Sequence, residues 1–195
     1  SRNGEYAIVK KVTILGAGSW GLTLAWLYGN SDYTVCLWDR NPEKIEQFNA
    51  DRFVTFPVHV EIPQRVVLTH SIAEAVDGAD VILLVVTSKG TREVIEAIKT
   101  TGRLSKDAIM VNASKGFDFE SLTTLSAMVE NLLPDNPVAA LSGPTLAPEI
   151  LKGLPTASVI ACPQIEVAEF LQKNLTCPNL HRLYTNTDIL GVELG

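Results

Sequence analysis

The stretch that decides the fold is a short β-branched strand followed by three spaced glycines, Val12-Thr13-Ile14-Leu15-Gly16-Ala17-Gly18-Ser19-Trp20-Gly21. In a GxGxxG loop of this kind, Gly16 permits a tight turn, Gly18 lets the backbone approach a diphosphate, and Gly21 lets the next helix pack closely on the sheet. The apolar segment 22–27 reads as that helix, whose N-terminus offers free N–H groups to an anion. The motif therefore predicts a dinucleotide-binding loop.

An acidic residue follows the second predicted strand, residues 34–38. Asp39 lies 18 residues after Gly21, close to the roughly 20-residue spacing of a ribose-binding carboxylate. It is suited to accept a hydrogen bond from the ribose 2′-hydroxyl of NAD, whereas the neighbouring Arg40 is suited to pair with the 2′-phosphate of NADP. Asn41-Pro42 also looks like a helix start, so Asp39 is alternatively a helix-capping or surface residue. We place Arg40 at the adenine-ribose end and leave NAD and NADP equally open.

Apolar runs alternate with helix-like segments along the rest of the chain. Strands are predicted at residues 12–15, 34–38, 66–68, 81–86, 108–112, 138–141, 156–161 and 180–184, and helices at 20–28, 42–48 and 122–133. Residues 50–64 form the least regular stretch. This alternation predicts an α/β fold of the Rossmann type, a doubly wound and mostly parallel sheet with helices on both faces.

The domain organisation follows from the two ends of this pattern. Residues 1–7 are polar and are expected to form a flexible tail, and residues 8–186 to form the dinucleotide-binding domain. Residues 187–195 are expected to begin a helical C-terminal substrate domain that is truncated here. We therefore expect exposed apolar residues between positions 183 and 194, with artificial self-association.

Composition excludes several classes of function. The 195 residues carry a formal net charge of −6 and no basic block, which disfavours nucleic-acid binding. No apolar run is long enough for a transmembrane segment. Three cysteines without CxxC spacing argue against a disulfide framework, and three scattered histidines give no metal motif. We expect a cytoplasmic protein without a metal.

A second set of candidate residues follows the later strands, whose carboxyl ends should line one crevice with the glycine loop. Lys115 is a cation suited to an anionic substrate oxygen or phosphate. Gly143 permits close backbone approach, and Thr145 offers hydroxyl and N–H donors at a predicted helix start. A solvated surface lysine and a plain strand-to-helix turn are the alternative interpretations of these residues.

Taken together, these motifs resemble the bacterial and plastid-like NAD(P)-dependent glycerol-3-phosphate dehydrogenases. The matching segments are Gly16–Gly21, Ser114-Lys115-Gly116, Ser142-Gly143-Pro144-Thr145 with Ala147 and Glu149, Gly153-Leu154-Pro155-Thr156-Ala157, and Gly191-Val192-Glu193-Leu194-Gly195. They occur in family order over nearly the whole chain. The resemblance implies reduction of dihydroxyacetone phosphate to sn-glycerol 3-phosphate with NADH or NADPH, a precursor step of phospholipid synthesis.

The resemblance also implies roles for individual residues. Ser19, Trp20, Arg40 and Ala147 would contact the coenzyme. Lys115 would contact both coenzyme and substrate and is the candidate catalytic residue within this chain. Gly143 and Thr145 would contact the substrate. The sequence does not fix the oligomeric state of the full-length protein, for which we expect a homodimer as one alternative.

This sequence departs from the family pattern at two places. Thr87-Ser88 replaces the usual Pro-Ser. Gly195 falls inside the family's Gly-Gly-Ala-x-Lys-Asn segment, whose lysine is the expected proton donor, and that lysine is not among the 195 residues. We therefore expect the 195-residue chain to bind coenzyme without appreciable turnover. The alternatives are an NAD(H)-binding redox-sensing module without catalysis and a dehydrogenase of the 6-phosphogluconate or hydroxyacid type.

Overall fold

The structure is a computed structural model that describes residues 8–113, 125–142, 147–178 and 180–186. The strands assigned within these residues are β1 (Lys11–Leu15), β2 (Thr34–Trp38), β3 (Phe53–Val54), β4 (Val60–Glu61), β5 (Val67–Thr69), β6 (Val81–Leu84), β7 (Ile109–Asn112), β8 (Val138–Ser142), β9 (Thr156–Ala161) and β10 (His181–Asn186). The helices are α1 (Ser19–Gly29), α2 (Pro42–Ala50), α3 (Ile72–Val76), α4 (Ser88–Thr101), α5 (Leu125–Leu132), α6 (Ala147–Leu151) and α7 (Ile165–Leu175).

Eight strands form one sheet in the order β5-β2-β1-β6-β7-β8-β9-β10. All neighbours pair in parallel except β8 and β9, which are antiparallel, while β3 and β4 form a separate antiparallel pair. The predicted Rossmann-type, mostly parallel sheet is confirmed. The chain leaves β1 toward β2 on one side and returns to β6 on the other, so the strand order reverses at β1. Ligands of open α/β sheets bind beyond the carboxyl ends of the strands at this reversal.

Both faces of the sheet are covered by helices. Ile14 packs on one face in a buried cluster with Leu24 of α1 and Leu171 of α7. Ile82 lies in a second cluster with Ile95 of α4, together with side chains of α3 and α5. A strand buried on both faces needs apolar residues at every position, which explains the continuous apolar sequence of β6.

The predicted elements agree with the structure apart from local differences. The third predicted strand lies one residue further on, at β5, and the strand predicted at residues 81–86 ends at Leu84. Three helices, α3, α4 and α7, were not individually predicted, although α4 carries Val94, Ile95 and Ile98 at helical spacing on its buried side. The irregular stretch 50–64 contains the short β3–β4 pair.

The expectations for both ends fall mainly on residues 1–7 and 187–195, which lie outside the described residues. Leu183, at the start of the predicted apolar patch, is only 3% exposed and packs in the core, so it does not belong to such a patch. Tyr184 is 55% exposed. No helix in the described part of the chain has the length and apolar character needed to cross a membrane.

The three cysteines are free thiols. Cys36 and Cys162 are buried and Cys177 is partly buried. Burial raises the pKa of Cys36 to about 11, so this thiol is neutral at physiological pH. In the ranges that the structure covers, no group of three or more histidine, cysteine, aspartate or glutamate side chains is placed to hold a metal ion.

Candidate functional site

The glycine loop is held between the ends of two neighbouring strands. The Gly16 N–H donates to the carbonyl of Trp38 at 2.8 Å, and the Val85 N–H donates to the carbonyl of Leu15 at 2.9 Å. Gly16 has φ +123°, and a Cβ there would lie 2.7 Å from the carbonyl oxygen of Val85. A side chain is therefore excluded at Gly16 by both backbone conformation and space, as predicted for the tight turn.

Gly18 lies in a different environment. Its φ of −84° and ψ of −168° are accessible to any residue, and a Cβ built on it would meet no described atom within 4 Å. The protein's own packing therefore does not require glycine here. The open space on the loop is of the kind that a ligand's diphosphate needs for close approach to the backbone.

Helix α1 begins directly after Gly18 without a side-chain cap among the described residues. The first intrahelical hydrogen bond runs from the Leu22 N–H to the Gly18 carbonyl at 2.9 Å. The N–H groups of Ser19, Trp20 and Gly21 precede that bond, so they have no partner within the helix. An N-terminus without a described cap, preceded by a glycine whose Cβ position is open, fits the diphosphate of a dinucleotide.

Gly21 provides the close contact between helix and loop. A Cβ on Gly21 would overlap the carbonyl oxygen of Gly16. The third glycine of the motif is therefore required by the contact of α1 with its own preceding loop, and the close packing predicted for this position is present.

The Asp39 carboxylate lies beside the same loop and is 12% exposed. One oxygen, Oδ2, accepts hydrogen bonds from the Ala17 N–H and from the Lys44 ammonium group, both at 3.1 Å. The other oxygen, Oδ1, accepts from the Asn41 N–H at 3.0 Å. Asp39 is therefore not a surface residue, and it ties the end of β2 to the glycine loop.

Asn41, and not Asp39, is the N-cap of α2. Its side-chain oxygen accepts from the N–H groups of Glu43 at 3.0 Å and Lys44 at 3.3 Å, and Pro42 follows as the first helical residue. This cap places Lys44 on the first turn of the helix, with its Nζ atom also 3.4 Å from the Ala17 carbonyl oxygen.

Arg40, directly after β2, reaches a residue of α4. Its guanidinium group forms an ion pair of 2.8 Å with Glu93 of α4, and both side chains are about two-thirds exposed (67% and 68%). Exposed pairs of this kind hold a side chain weakly. Arg40 is thus available at the open end of β2, where the adenine-ribose end of the site was predicted.

The Thr87-Ser88 departure falls at the start of α4. Thr87 is the N-cap of that helix, and its hydroxyl oxygen accepts from the Gly90 N–H at 3.3 Å. Threonine is a favoured N-cap residue, so the turn after β6 is well formed without proline.

The second set of predicted residues is only partly visible. Ala147 is buried at the first position of α6, which packs against α1. Lys115, Gly143 and Thr145 lie outside the described residues, so their roles stay predictions. The structure instead reveals two charged residues that the sequence analysis missed, Lys44 and Glu93. The Asn41-Pro42 cap was the available signal for Lys44, because it fixes which residues fall on the first helical turn.

Comparison with known proteins assigns the chain to a family. The family described as NAD-dependent glycerol-3-phosphate dehydrogenase N-terminus matches residues 11–168. Glycerol-3-phosphate dehydrogenase [NAD(P)+] of Clostridium perfringens is 38% identical over 188 residues, which cover 96% of this chain and 56% of that protein. The corresponding protein of Thermoanaerobacter sp. is 34% identical over 185 residues, covering 95% of this chain and 55% of that protein.

Structural similarity leads to the same group. A crystal structure of glycerol-3-phosphate dehydrogenase from Coxiella burnetii superposes with a TM-score of 0.83 at 29% identity, covering 95% of this chain and 56% of that one. The chain thus spans a little over half the length of these relatives. The resemblance seen in the sequence is confirmed: this chain belongs to the NAD-dependent glycerol-3-phosphate dehydrogenase N-terminus family.

Proposed function

We propose that this chain binds the diphosphate and adenosine part of NAD or NADP at the end of β1. Two observations carry the proposal: among the described residues the N-terminus of α1 has no side-chain cap, and a Cβ on Gly18 would meet no described atom within 4 Å. Gly18 and the N–H groups of Ser19, Trp20 and Gly21 would hold the diphosphate. Arg40 would contact the adenine-ribose end, and Ala147 would border the coenzyme from α6.

In the full-length protein, the proposed reaction is the reduction of dihydroxyacetone phosphate to sn-glycerol 3-phosphate. The hydride would come from the reduced nicotinamide, and the protein would orient the ketone and stabilise the developing alkoxide. Lys115, Gly143 and Thr145 are the proposed substrate contacts. Cytoplasmic location, a homodimer of the full-length protein and a role in phospholipid precursor synthesis are part of the same proposal.

The coenzyme proposal is tested by calorimetric titration of the 195-residue chain with NADH and with NADPH, in wild type and in Gly18→Ala. The added methyl group should leave folding intact because it meets no described atom, and it should weaken coenzyme binding at least about tenfold by obstructing the diphosphate. Circular dichroism and urea unfolding check that the variant is folded. The proposal would be contradicted if wild type and Gly18→Ala bound the coenzymes with equal affinity, or if wild type gave no heat with either coenzyme.

The reaction is tested separately on the full-length protein. With dihydroxyacetone phosphate, the absorbance of NADH or NADPH should fall as the coenzyme is oxidised. A panel that includes 6-phosphogluconate and hydroxyacids with the oxidised coenzymes should show no comparable rate. Activity with another member of that panel alone would assign the chain to a different dehydrogenase.

A further inference from the structure

The charges at the end of β2 do not match the simple rule that an acid at this position selects NAD. A carboxylate offers about four acceptor sites, and Asp39 uses three of them on the Ala17 N–H, the Asn41 N–H and the Lys44 ammonium group. Asp39 is therefore largely committed to internal partners. It has little capacity left to accept hydrogen bonds from ribose hydroxyls.

Lys44 changes the electrostatics of this position. Its ammonium group lies 3.1 Å from Asp39 Oδ2 and 3.4 Å from the Ala17 carbonyl oxygen, so the cation sits between the end of β2 and the glycine loop. The side chain of Lys44 is 34% exposed, and that of Asp39 is 12% exposed. The more accessible partner of the pair is thus the positive one.

A second cation lies next to this pair. Arg40 follows Asp39 directly, and within the described part of the chain its guanidinium group pairs with the exposed Glu93. Both acids already pair with a cation, so neither carboxylate is an uncompensated negative charge toward a phosphate, and Lys44 and Arg40 are the two basic side chains at this strand end. Arginine and lysine are the usual partners of phosphate oxygens.

We propose that Lys44, through its pair with Asp39, sets coenzyme selectivity by neutralising the carboxylate and presenting a cation to the ribose 2′-phosphate, so that NADPH binds at least as tightly as NADH. This inference rests on the proposed coenzyme function of the chain. Asp39 then acts as a positioning residue for the glycine loop and for Lys44, and it no longer serves mainly as a reader of the ribose.

The experiment measures dissociation constants of NADH and NADPH for the 195-residue chain in wild type, Lys44→Met, Lys44→Arg and Asp39→Asn. Lys44→Met removes the cation and exposes the Asp39 charge, so it should weaken NADPH binding about tenfold or more relative to NADH. Lys44→Arg should retain the wild-type ratio of the two constants. Asp39→Asn should leave this ratio unchanged or move it toward NADPH. Lys173→Met, an exposed lysine of α7, is the matched control for net charge and should leave both constants unchanged.

The ratio of the two constants separates selectivity from structural damage, because a purely structural role of Lys44 would weaken both coenzymes equally. If Lys44→Met changed the dissociation constants of NADH and NADPH by the same factor, or if wild type preferred NADH, this inference would be overturned while the coenzyme proposal stayed intact. Binding of neither coenzyme to wild type would overturn both.

Discussion

The two ends of helix α1 are built in opposite ways. At the N-terminal end, Gly18 is exposed, no described side chain caps the first-turn N–H groups, and a Cβ on Gly18 would meet no described atom within 4 Å. At the C-terminal end, Tyr28 is 1% exposed and its hydroxyl donates to the carbonyl of Leu175 at 3.1 Å. The Tyr28 ring also packs edge-on against Tyr33, with ring centroids 6.3 Å apart.

This difference shows how the helix combines rigidity with unsatisfied donors. The closed end and the buried leucines fix the position of α1 against the sheet and α7. The open end is therefore held in place although no described side chain caps it, and its N–H groups are already oriented for an anion. Sites preorganised in this way lose little conformational freedom on binding.

The largest expected effect comes from Gly21→Ala at the open end. The new Cβ would overlap the Gly16 carbonyl oxygen, which is backbone and is held by the strands beside it. We expect the free energy of unfolding to fall by more than about 3 kcal/mol, measured by urea denaturation. Gly18→Ala, three residues away, is the matched control and should change stability by less than about 0.5 kcal/mol. An unfolding midpoint for Gly21→Ala equal to that of wild type would show that the glycine loop rearranges around the new methyl group at little cost in stability.

A smaller loss is expected from Tyr28→Phe at the closed end. Burial raises the pKa of Tyr28 well above its ordinary value, so the hydroxyl stays a protonated donor to the Leu175 carbonyl. Its removal leaves that carbonyl without this donor and should cost about 1–3 kcal/mol of stability, measured by thermal or urea unfolding. Coenzyme affinity should not change, because the open end is untouched. Tyr33→Phe, at a partly buried tyrosine, should cost less. An equal loss in both variants would argue against a specific role for the Tyr28 hydrogen bond.

The smallest effect concerns pH and the turn that follows α7. Cys177 and His181 exchange two backbone hydrogen bonds of 2.8 Å, and the fully buried His181 ring places Nδ1 2.6 Å from the Thr156 hydroxyl oxygen. Its other nitrogen, Nε2, has no hydrogen-bond partner among the described residues. Burial lowers the pKa of His181, because protonation would bury a charge and an unpaired N–H.

The sign of the pH effect follows from linkage. Above about pH 6.5 the imidazole is neutral in both the folded and the unfolded chain, and the contribution to stability is complete. As the pH falls below that value, the unfolded chain takes up the proton first, so stability declines toward the lower folded pKa. Urea unfolding between neutral and mildly acidic pH should show a steeper decline for wild type than for His181→Gln. Parallel pH profiles would show that His181 does not contribute.

The glycine loop could be predicted from sequence because its requirements are local. Gly16 and Gly21 meet conditions set by the turn and by the first residues of α1, and the strand before them is short and apolar. Gly18 belongs to the same motif, although the protein's own packing does not require glycine there. The alternation of strands and helices similarly predicted a mostly parallel sheet. Helix α4 was predictable in principle from the spacing of Val94, Ile95 and Ile98.

The remaining features depend on contacts between distant residues. The antiparallel pairing of β8 with β9 is not visible in either strand, since both are short apolar runs that suit either direction. The Arg40–Glu93 pair joins residues 53 positions apart, and the Asp39 contact with Ala17 joins two separate strand ends. Sequence spacing indicated an acid near the ribose position, but it gave no information on which groups that acid already contacts.

The contact between Gly16 and Val85 has a consequence for the kinetics of coenzyme association. Val85, after β6, donates a backbone hydrogen bond to Leu15 at the end of β1, and its carbonyl leaves no room for a side chain on Gly16, so this wall of the site is fixed by backbone contacts before coenzyme arrives. Capture of the diphosphate then needs no slow opening step at the wall. In stopped-flow mixing, the observed rate should rise linearly with coenzyme concentration and reach no plateau from loop rearrangement.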